Sequence, residues 1–443
     1  MDKKAKKMKV MKFGGTSVGS AQRMKSVAGL VASAGRNIIV LSAMSGTTNT
    51  LVEIAAYLYN NNAESAKDTV SRLEGEYEKH IQELYDTEEY RLMALEYVQG
   101  IFSYLHSFAQ QRITEKEEKM ILAQGELMSS FMLTCFLRER GYKVALIPAL
   151  DYMKLDAQGE PDFEFIRNNL KSLLSKEPDA QLFVTQGYIC RNDEGGIDNL
   201  KRGGSDYSAS LVGAAVGAQE IQIWTDIDGM HNNDPRVVEG TSSVRHLNFD
   251  EAAELGYFGA KILHPTCIQP AKFANIPVRL LNTMDPSAAG TLISNDLEAG
   301  TIKAVAAKDN ITAIKIKSSR MFLAYGFMRR VFEVFENYKT SIDMICTSEV
   351  GVSMTIDDTR HLNDIIHDLK RYGTVTVDSD MCIVCVVGDM DWENVGFETR
   401  ALEAMKNIPV RMVSYGGSNY NISFLVKEED KERTLRSLSE CLF

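Results

Sequence analysis

The sequence predicts an α/β protein in which a largely parallel sheet sandwiched by helices is followed by two small tandem βαββ modules. Two observations carry this prediction. Through roughly the first 300 residues, short apolar runs alternate with stretches of helical period, the rhythm of strand–helix–strand units. Beyond that point the chain repeats itself. The stretch starting at Gly326 aligns without a gap on the one starting at Gly396, with identities at Gly326/Gly396, Phe327/Phe397, Arg330/Arg400, Glu333/Glu403, Asn337/Asn407 and Ser353/Ser423.

The expected strands are "KVMKF" (9–13), "NIIVLSA" (37–43), "YKVALIPA" (142–149), "QLFVTQGYI" (181–189), "IQIWTD" (221–226) and "PVRLLN" (277–282). Between the first two, Val18, Ala21, Met24, Val27, Ala28 and Val31 keep helical spacing, so an amphipathic helix is expected from about Val18. The charged stretch from about 60 to 120 reads as a helical excursion with a solvated face and no assignable chemistry. In the tail each copy reads as a helix followed by two strands, with an apolar strand upstream, "ITAIKIK" or "MCIVCVV". Modules this small have thin cores and gain by pairing. Purely structural or dimerising modules remain an alternative to ligand-binding ones. The expected boundaries are 1–298, 299–380 and 381–443, with strands of the two modules free to interleave.

The bulk properties narrow the function classes. A chain of 443 residues has room for two or three domains, and 44% hydrophobic with 25% charged residues is ordinary for a globular protein. A net charge of −11 argues against a nucleic-acid surface, and the basic "MDKKAKKMK" reads as a solvated tail. No apolar segment follows it as in a signal peptide, and no uninterrupted apolar run approaches the ~20 residues of a membrane span. A cytoplasmic protein is expected. The seven cysteines are scattered, and Cys382 and Cys385 fall on opposite faces of one strand, so all are expected to be reduced thiols. The histidines stand at no ligand spacing, and no protein metal site is expected.

Five segments carry chemistry-bearing residues. In "KFGGTSVG" Lys12 precedes Gly14 and Gly15, which let a phosphate approach the backbone at a helix start, though structural glycine turns of this kind are common. In "KRGGSDYSASLVGAAVGA" a second glycine turn is flanked by Arg202 and Asp206, with Ser205 as a candidate N-cap. Arg202 is suited to gripping a carboxylate, or is a surface charge, and Asp206 to orienting a lysine. "WTDIDGMHNNDPR" reads equally as a loop for a nucleotide's sugar and base or as a polar turn. Lys261 in "FGAKILHP" stands among apolar residues, paired with an anion or snorkelling. Glu126 in "AQGELMSS" lies on an apolar helix, where a solvated glutamate is the ordinary reading.

Taken in order, "KFGGTSVG", "VLSAMSGTTN", "QGELMSS", "RGGSDYSA", "WTDIDG" and "FGAKILHP" resemble the motifs of aspartate kinases of the amino-acid kinase superfamily. The two repeats resemble the ferredoxin-like ACT domains that follow the kinase domain there. "SRMFLAYGFMRRVF" with "TSIDMICTSEVGVSMTID" is most similar to the monofunctional, lysine-inhibited class. No further α/β domain follows up to Phe443, so a fused homoserine dehydrogenase is not expected.

The resemblance implies transfer of phosphate from MgATP to the side-chain carboxylate of L-aspartate, the first step of lysine, threonine and methionine biosynthesis. The nucleophile is already ionised at neutral pH, so no general base is required. By resemblance, Lys12 serves the transferring phosphoryl group, Gly14 and Gly15 give it backbone contacts, and Asp206 holds Lys12. Thr48, Glu126, Arg202 and Ser205 bind aspartate, Glu126 at its α-ammonium and Arg202 at its α-carboxylate. Thr225, Asp226, His231, Arg236 and Lys261 fall to the nucleotide together with Lys12, Gly14 and Gly15. Met321, Gly326, Phe327, Ser341, Asp343, Ser348 and Glu349 fall to an amino-acid effector, lysine by resemblance. A homodimer or homotetramer through the ACT domains is expected. The sequence departs from the pattern at His231, where relatives often place a tyrosine, and at Ala324 and Tyr325, which replace polar or basic residues of the lysine-inhibited relatives.

Overall fold

The computed structural model describes residues 8–32, 35–110, 112–200, 203–259, 263–318 and 325–443, so Arg202, Lys261 and Met321 lie outside the described residues. The chain divides into two compact units, one of Met1–Met230 with Leu263–Asn295 and one of His231–Ile262 with Asp296–Phe443.

In the first unit seven strands lie side by side in the order Val144–Leu146, Leu182–Gln186, Asn37–Leu41, Lys9–Phe13, Glu220–Thr225, Val278–Asn282, Thr291–Ser294. All are parallel except the last, which runs antiparallel to Val278–Asn282. The central strands are apolar on both faces because helices cover both; every residue of Asn37–Leu41 is buried. From Lys9–Phe13 the chain runs first to one side of the sheet and later returns to the other, so the carboxyl ends of Lys9–Phe13 and Glu220–Thr225 flank a topological switch point. Crevices form there in open α/β sheets. Phe13 and Trp224 stack across it at 5.8 Å.

Three local expectations are corrected. The residues after Gly14 form a 3-10 turn, Gly15–Val18, and the α-helix begins only at Ala21. A Cβ on Gly19 would lie 2.8 Å from Ser45 Cβ, so the chain turns there in close contact before the helix starts. The second glycine turn caps its helix, Gly204–Val216, through Gly203 in the left-handed region (φ 68°), and Ser205 lies inside the first turn. The run 181–189 breaks after Gln186, and Ile189–Arg191 pairs instead with Ile197–Asn199 in a separate hairpin.

The charged excursion forms the helices Ala63–Leu84, which buries a stripe of Ala66, Val70, Leu73, Tyr77 and Ile81, and Glu88–Ser107, which buries Ala94, Val98, Ile101, Phe102 and Leu105. The helical stretch Glu115–Glu139 is long and apolar enough by composition to cross a membrane, yet 83% of its most apolar window is buried inside the protein, as in a core helix.

The second unit holds an antiparallel six-stranded sheet in the order Ile345–Ser348, Gly351–Ile356, Ile302–Lys317, Thr374–Gly388, Asn421–Lys427, Met412–Tyr415. The two long central strands explain the interleaving. Thr312–Lys317 pairs with Gly351–Ile356 of the first repeat, and Met381–Val387 pairs with Asn421–Lys427 of the second. Each repeat packs its helices on its own core, one around Val331, Phe335 and Ile365, the other around Phe424, Leu435 and Leu438. Gly326 and Gly396, equivalent in the repeat, both cap a helix in the left-handed region, at φ 76° and 97°. All seven cysteines are free thiols, and Cys382 and Cys385 are buried.

Candidate active site

Lys12 is delivered by the end of its strand. Its Nζ lies 2.7 Å from Asp206 Oδ1, with only 11% and 15% of the two side chains exposed. Asp206 sits in the first turn of Gly204–Val216, so the second glycine turn supplies the carboxylate that positions the lysine of the first. The Gly14 N–H is donated to the Trp224 carbonyl at 3.2 Å, so it is already engaged within the protein, against the expectation that both glycines offer donors to a phosphate. A Cβ on Gly14 would lie 3.6 Å from Lys12 Nζ, and one on Gly15 2.9 Å from the Ala43 carbonyl oxygen. The glycines therefore keep space beside the ammonium and bring the 43–45 loop against the turn, where Ser45 N–H bonds the Gly15 carbonyl at 3.1 Å.

Glu126 is not solvated. It opens the helix Gln124–Glu139, which is buried on nearly every side, and is only 3% exposed. Ala43 N–H donates to Oε1 at 3.1 Å, while Oε2 has no hydrogen-bond partner among the described residues. Burial raises its pKa from 4.5 to about 8, and the Ala43 hydrogen bond offsets only part of that. Burial therefore favours the protonated carboxyl over the carboxylate near neutral pH.

Gly125 makes this approach possible, because a Cβ there would lie 2.7 Å from Ala43 Cβ and 3.1 Å from Thr47 Cγ2. Gly125→Ala is expected to lower stability by about 1–3 kcal/mol through overpacking and to raise KM for the acid substrate, read by denaturation and steady-state kinetics. An unchanged KM would contradict the placement of Glu126.

Thr48, half-buried, follows Thr47 at the start of the helix Thr47–Tyr59, and Thr47 Oγ1 bonds the buried Tyr77 hydroxyl at 2.9 Å. Ser205 faces Gly187, where a Cβ would stand 2.6 Å from Ser205 Cβ. Tyr188 escaped the sequence reading. It holds φ 65°, unusual for a bulky residue, donates its N–H to Ser208 Oγ at 2.9 Å, and lays its ring on Gly204. With Lys119, Asp198, Gly203 and Gly204 it lines a cleft of about 620 Å³.

Thr225 ends its strand and donates to Asp226 Oδ1 at 3.1 Å. In the second unit His231 Nδ1 bonds Thr241 Oγ1 at 3.0 Å. Arg236 forks onto Asp234 at 3.0 and 2.7 Å, which holds that carboxyl below the usual range. Among the effector candidates, Ser341, Ser348 and Glu349 are exposed, while Asp343 has a side chain only 1% exposed. Phe327 is buried in the core of its module, so its expected effector contact is limited to backbone.

The first unit thus combines a mostly parallel sheet, a lysine–aspartate pair at its switch point and a buried glutamate on the helix Gln124–Glu139. Residues 7–282 match the amino acid kinase family and residues 384–442 an ACT domain. The chain belongs to the amino acid kinase family. It is 33% identical to Aspartokinase 2, chloroplastic, of Arabidopsis thaliana, over 98% of this chain and 84% of that one. It is 31% identical to Lysine-sensitive aspartokinase 3 of Escherichia coli, over 98% and 99%. The crystal structure of E. coli aspartokinase III in complex with aspartate and ADP superposes with a TM-score of 0.81 at 30% identity, covering 98% of this chain and all of that one.

Proposed function

We propose that this protein is an aspartate kinase, transferring the terminal phosphoryl group of MgATP to the side-chain carboxylate of L-aspartate, and that its ACT pair senses lysine. The observation that carries the reading is Glu126: a buried carboxyl with one free oxygen, poised to receive the α-ammonium of an amino acid.

The chemistry asks for little beyond placement and charge. An anionic nucleophile must meet an anionic phosphate, so catalysis is mostly positioning and electrostatic stabilisation. Lys12, oriented by Asp206, neutralises charge developing on the transferring group, and Gly15 offers a backbone donor. Glu126 holds the substrate ammonium, Arg202 its α-carboxylate, and Thr48 and Ser205 line its path. Thr225, Asp226, His231, Arg236 and Lys261 serve the nucleotide, and Mg2+ arrives with ATP. Met321, Gly326, Phe327, Ser341, Asp343, Ser348 and Glu349 receive the effector, and the ACT modules pair copies of the chain.

A coupled ADP-release assay across aspartate, glutamate and acetylglutamate, repeated with lysine, threonine and methionine, tests this reading. Turnover confined to aspartate and inhibited by lysine is expected. Preferred turnover of glutamate or acetylglutamate would overturn the substrate, and indifference to lysine the effector.

A further inference from the structure

Lys308, Asp343, Asp357 and Tyr257 form a cluster inside the second unit that the sequence reading did not anticipate. Lys308 Nζ stands 2.7 Å from Asp343 Oδ1 and 2.9 Å from Asp357 Oδ2. The Tyr257 hydroxyl donates to Asp343 Oδ1 at 2.9 Å, and Lys308 lies over its ring at 4.6 Å. A β-bulge puts the lysine there. Between Lys308 and Ala313 the register against Thr374–Gly388 shifts twice, and Asn310 takes φ 59°; bulges re-aim side chains in this way.

Two features mark the cluster as incomplete. Asp343 and Asp357 bring two negative charges against the single positive charge of Lys308. Asp343 Oδ2 is also buried, with no hydrogen-bond partner among the described residues, although such atoms are normally satisfied. Burial raises the Asp343 pKa while Lys308 and Tyr257 oppose it, as for a carboxylate short of partners.

We propose that Lys308 is a resident competitor for the effector's ammonium: the incoming ammonium takes the free face of Asp343, and Lys308 passes to the more exposed Asp357. This rests on the reading of Asp343 as an effector residue. Two ammonium groups on one buried carboxylate repel each other, so the resident lysine weakens effector binding. Asp357, already in contact and 43% exposed, gives it a second partner at little cost in desolvation. The switch also loosens the cation–π contact with Tyr257 at the end of the helix Phe249–Tyr257, so that helix responds to effector binding.

The test is calorimetric titration of lysine into the full-length wild-type, Lys308→Met, Lys308→Arg and Asp343→Asn proteins, with a thermal scan of each. Lys308→Met is expected to bind lysine at least tenfold more tightly and to gain a larger rise in Tm from saturating lysine. Lys308→Arg, which keeps the pair, should stay within about threefold of wild type. If Lys308→Met does not fold, a Lys308→Gln variant reads the same affinity change. Unchanged or weaker binding in the neutral variants, with wild type binding and Asp343→Asn losing it, overturns the competitor role alone. No lysine binding by the wild type, or full binding by Asp343→Asn, overturns the effector reading itself.

Discussion

Replacing Lys12 by alanine is expected to lower kcat by about three to five orders of magnitude while KM for aspartate changes little. One well-placed cation contributes about that much to the rate of phosphoryl transfer. Lys12 is the charge that the strand end and Asp206 hold at the switch point, and its ammonium makes a 2.7 Å contact that is nearly out of water. An interaction that strengthens in the transition state shows up in kcat, whereas one equally strong in the ground state shows up in KM. Asp206→Asn separates charge from position, since Lys12 then keeps its charge and loses its anchor, and a smaller kcat loss of about 10- to 100-fold is expected. Near-normal turnover of Lys12→Ala in steady-state assays would remove Lys12 from the reaction.

Glu126→Gln is expected to raise KM for aspartate by about 100-fold or more, because a charge-assisted hydrogen bond in a buried site is replaced by a neutral one. The same variant carries a signature in stability. The folded pKa of Glu126, about 8, lies above its ordinary 4.5, so the folded protein keeps a proton that the unfolded chain has already lost. Stability from this group is therefore greatest below pH 4.5 and declines as pH rises to about 8. Glutamine never ionises and escapes the decline. Denaturant unfolding should show the variant gaining on the wild type between pH 4.5 and 8, by about 2–5 kcal/mol at the plateau, and level beyond. A stability difference independent of pH would contradict the buried, protonated state.

The parallel strands were legible because strands covered on both faces are apolar over most of their length, as Ile38, Ile39, Val40 and Leu41 are. The tandem modules were legible because Gly326 and Gly396 mark the same left-handed cap twice. The helix start at Val18 was misread for a specific reason. Val18, Ala21 and Met24 keep helical spacing across Gly19, and periodicity does not register a tight contact with Ser45. Glu126 left a usable signal, since a glutamate in a helix that is apolar all round is a buried glutamate. The free oxygen that gives it a role appears only when Ala43 is seen to claim the other. The Lys308 cluster left none: Tyr257, Lys308, Asp343 and Asp357 come from four separate stretches of chain, and no local pattern encodes their meeting.

Binding of the substrate's ammonium at Glu126 is expected to displace the proton that burial keeps on its carboxyl. This displacement is tested most directly by calorimetric titration of aspartate at pH 7 in two buffers of different ionisation enthalpy, which counts protons released on binding. With a pKa near 8, about 0.9 proton should leave per aspartate bound, falling towards zero above pH 9 and absent at every pH in Glu126→Gln. Binding without proton release at pH 7, or the same release from Glu126→Gln, would contradict it.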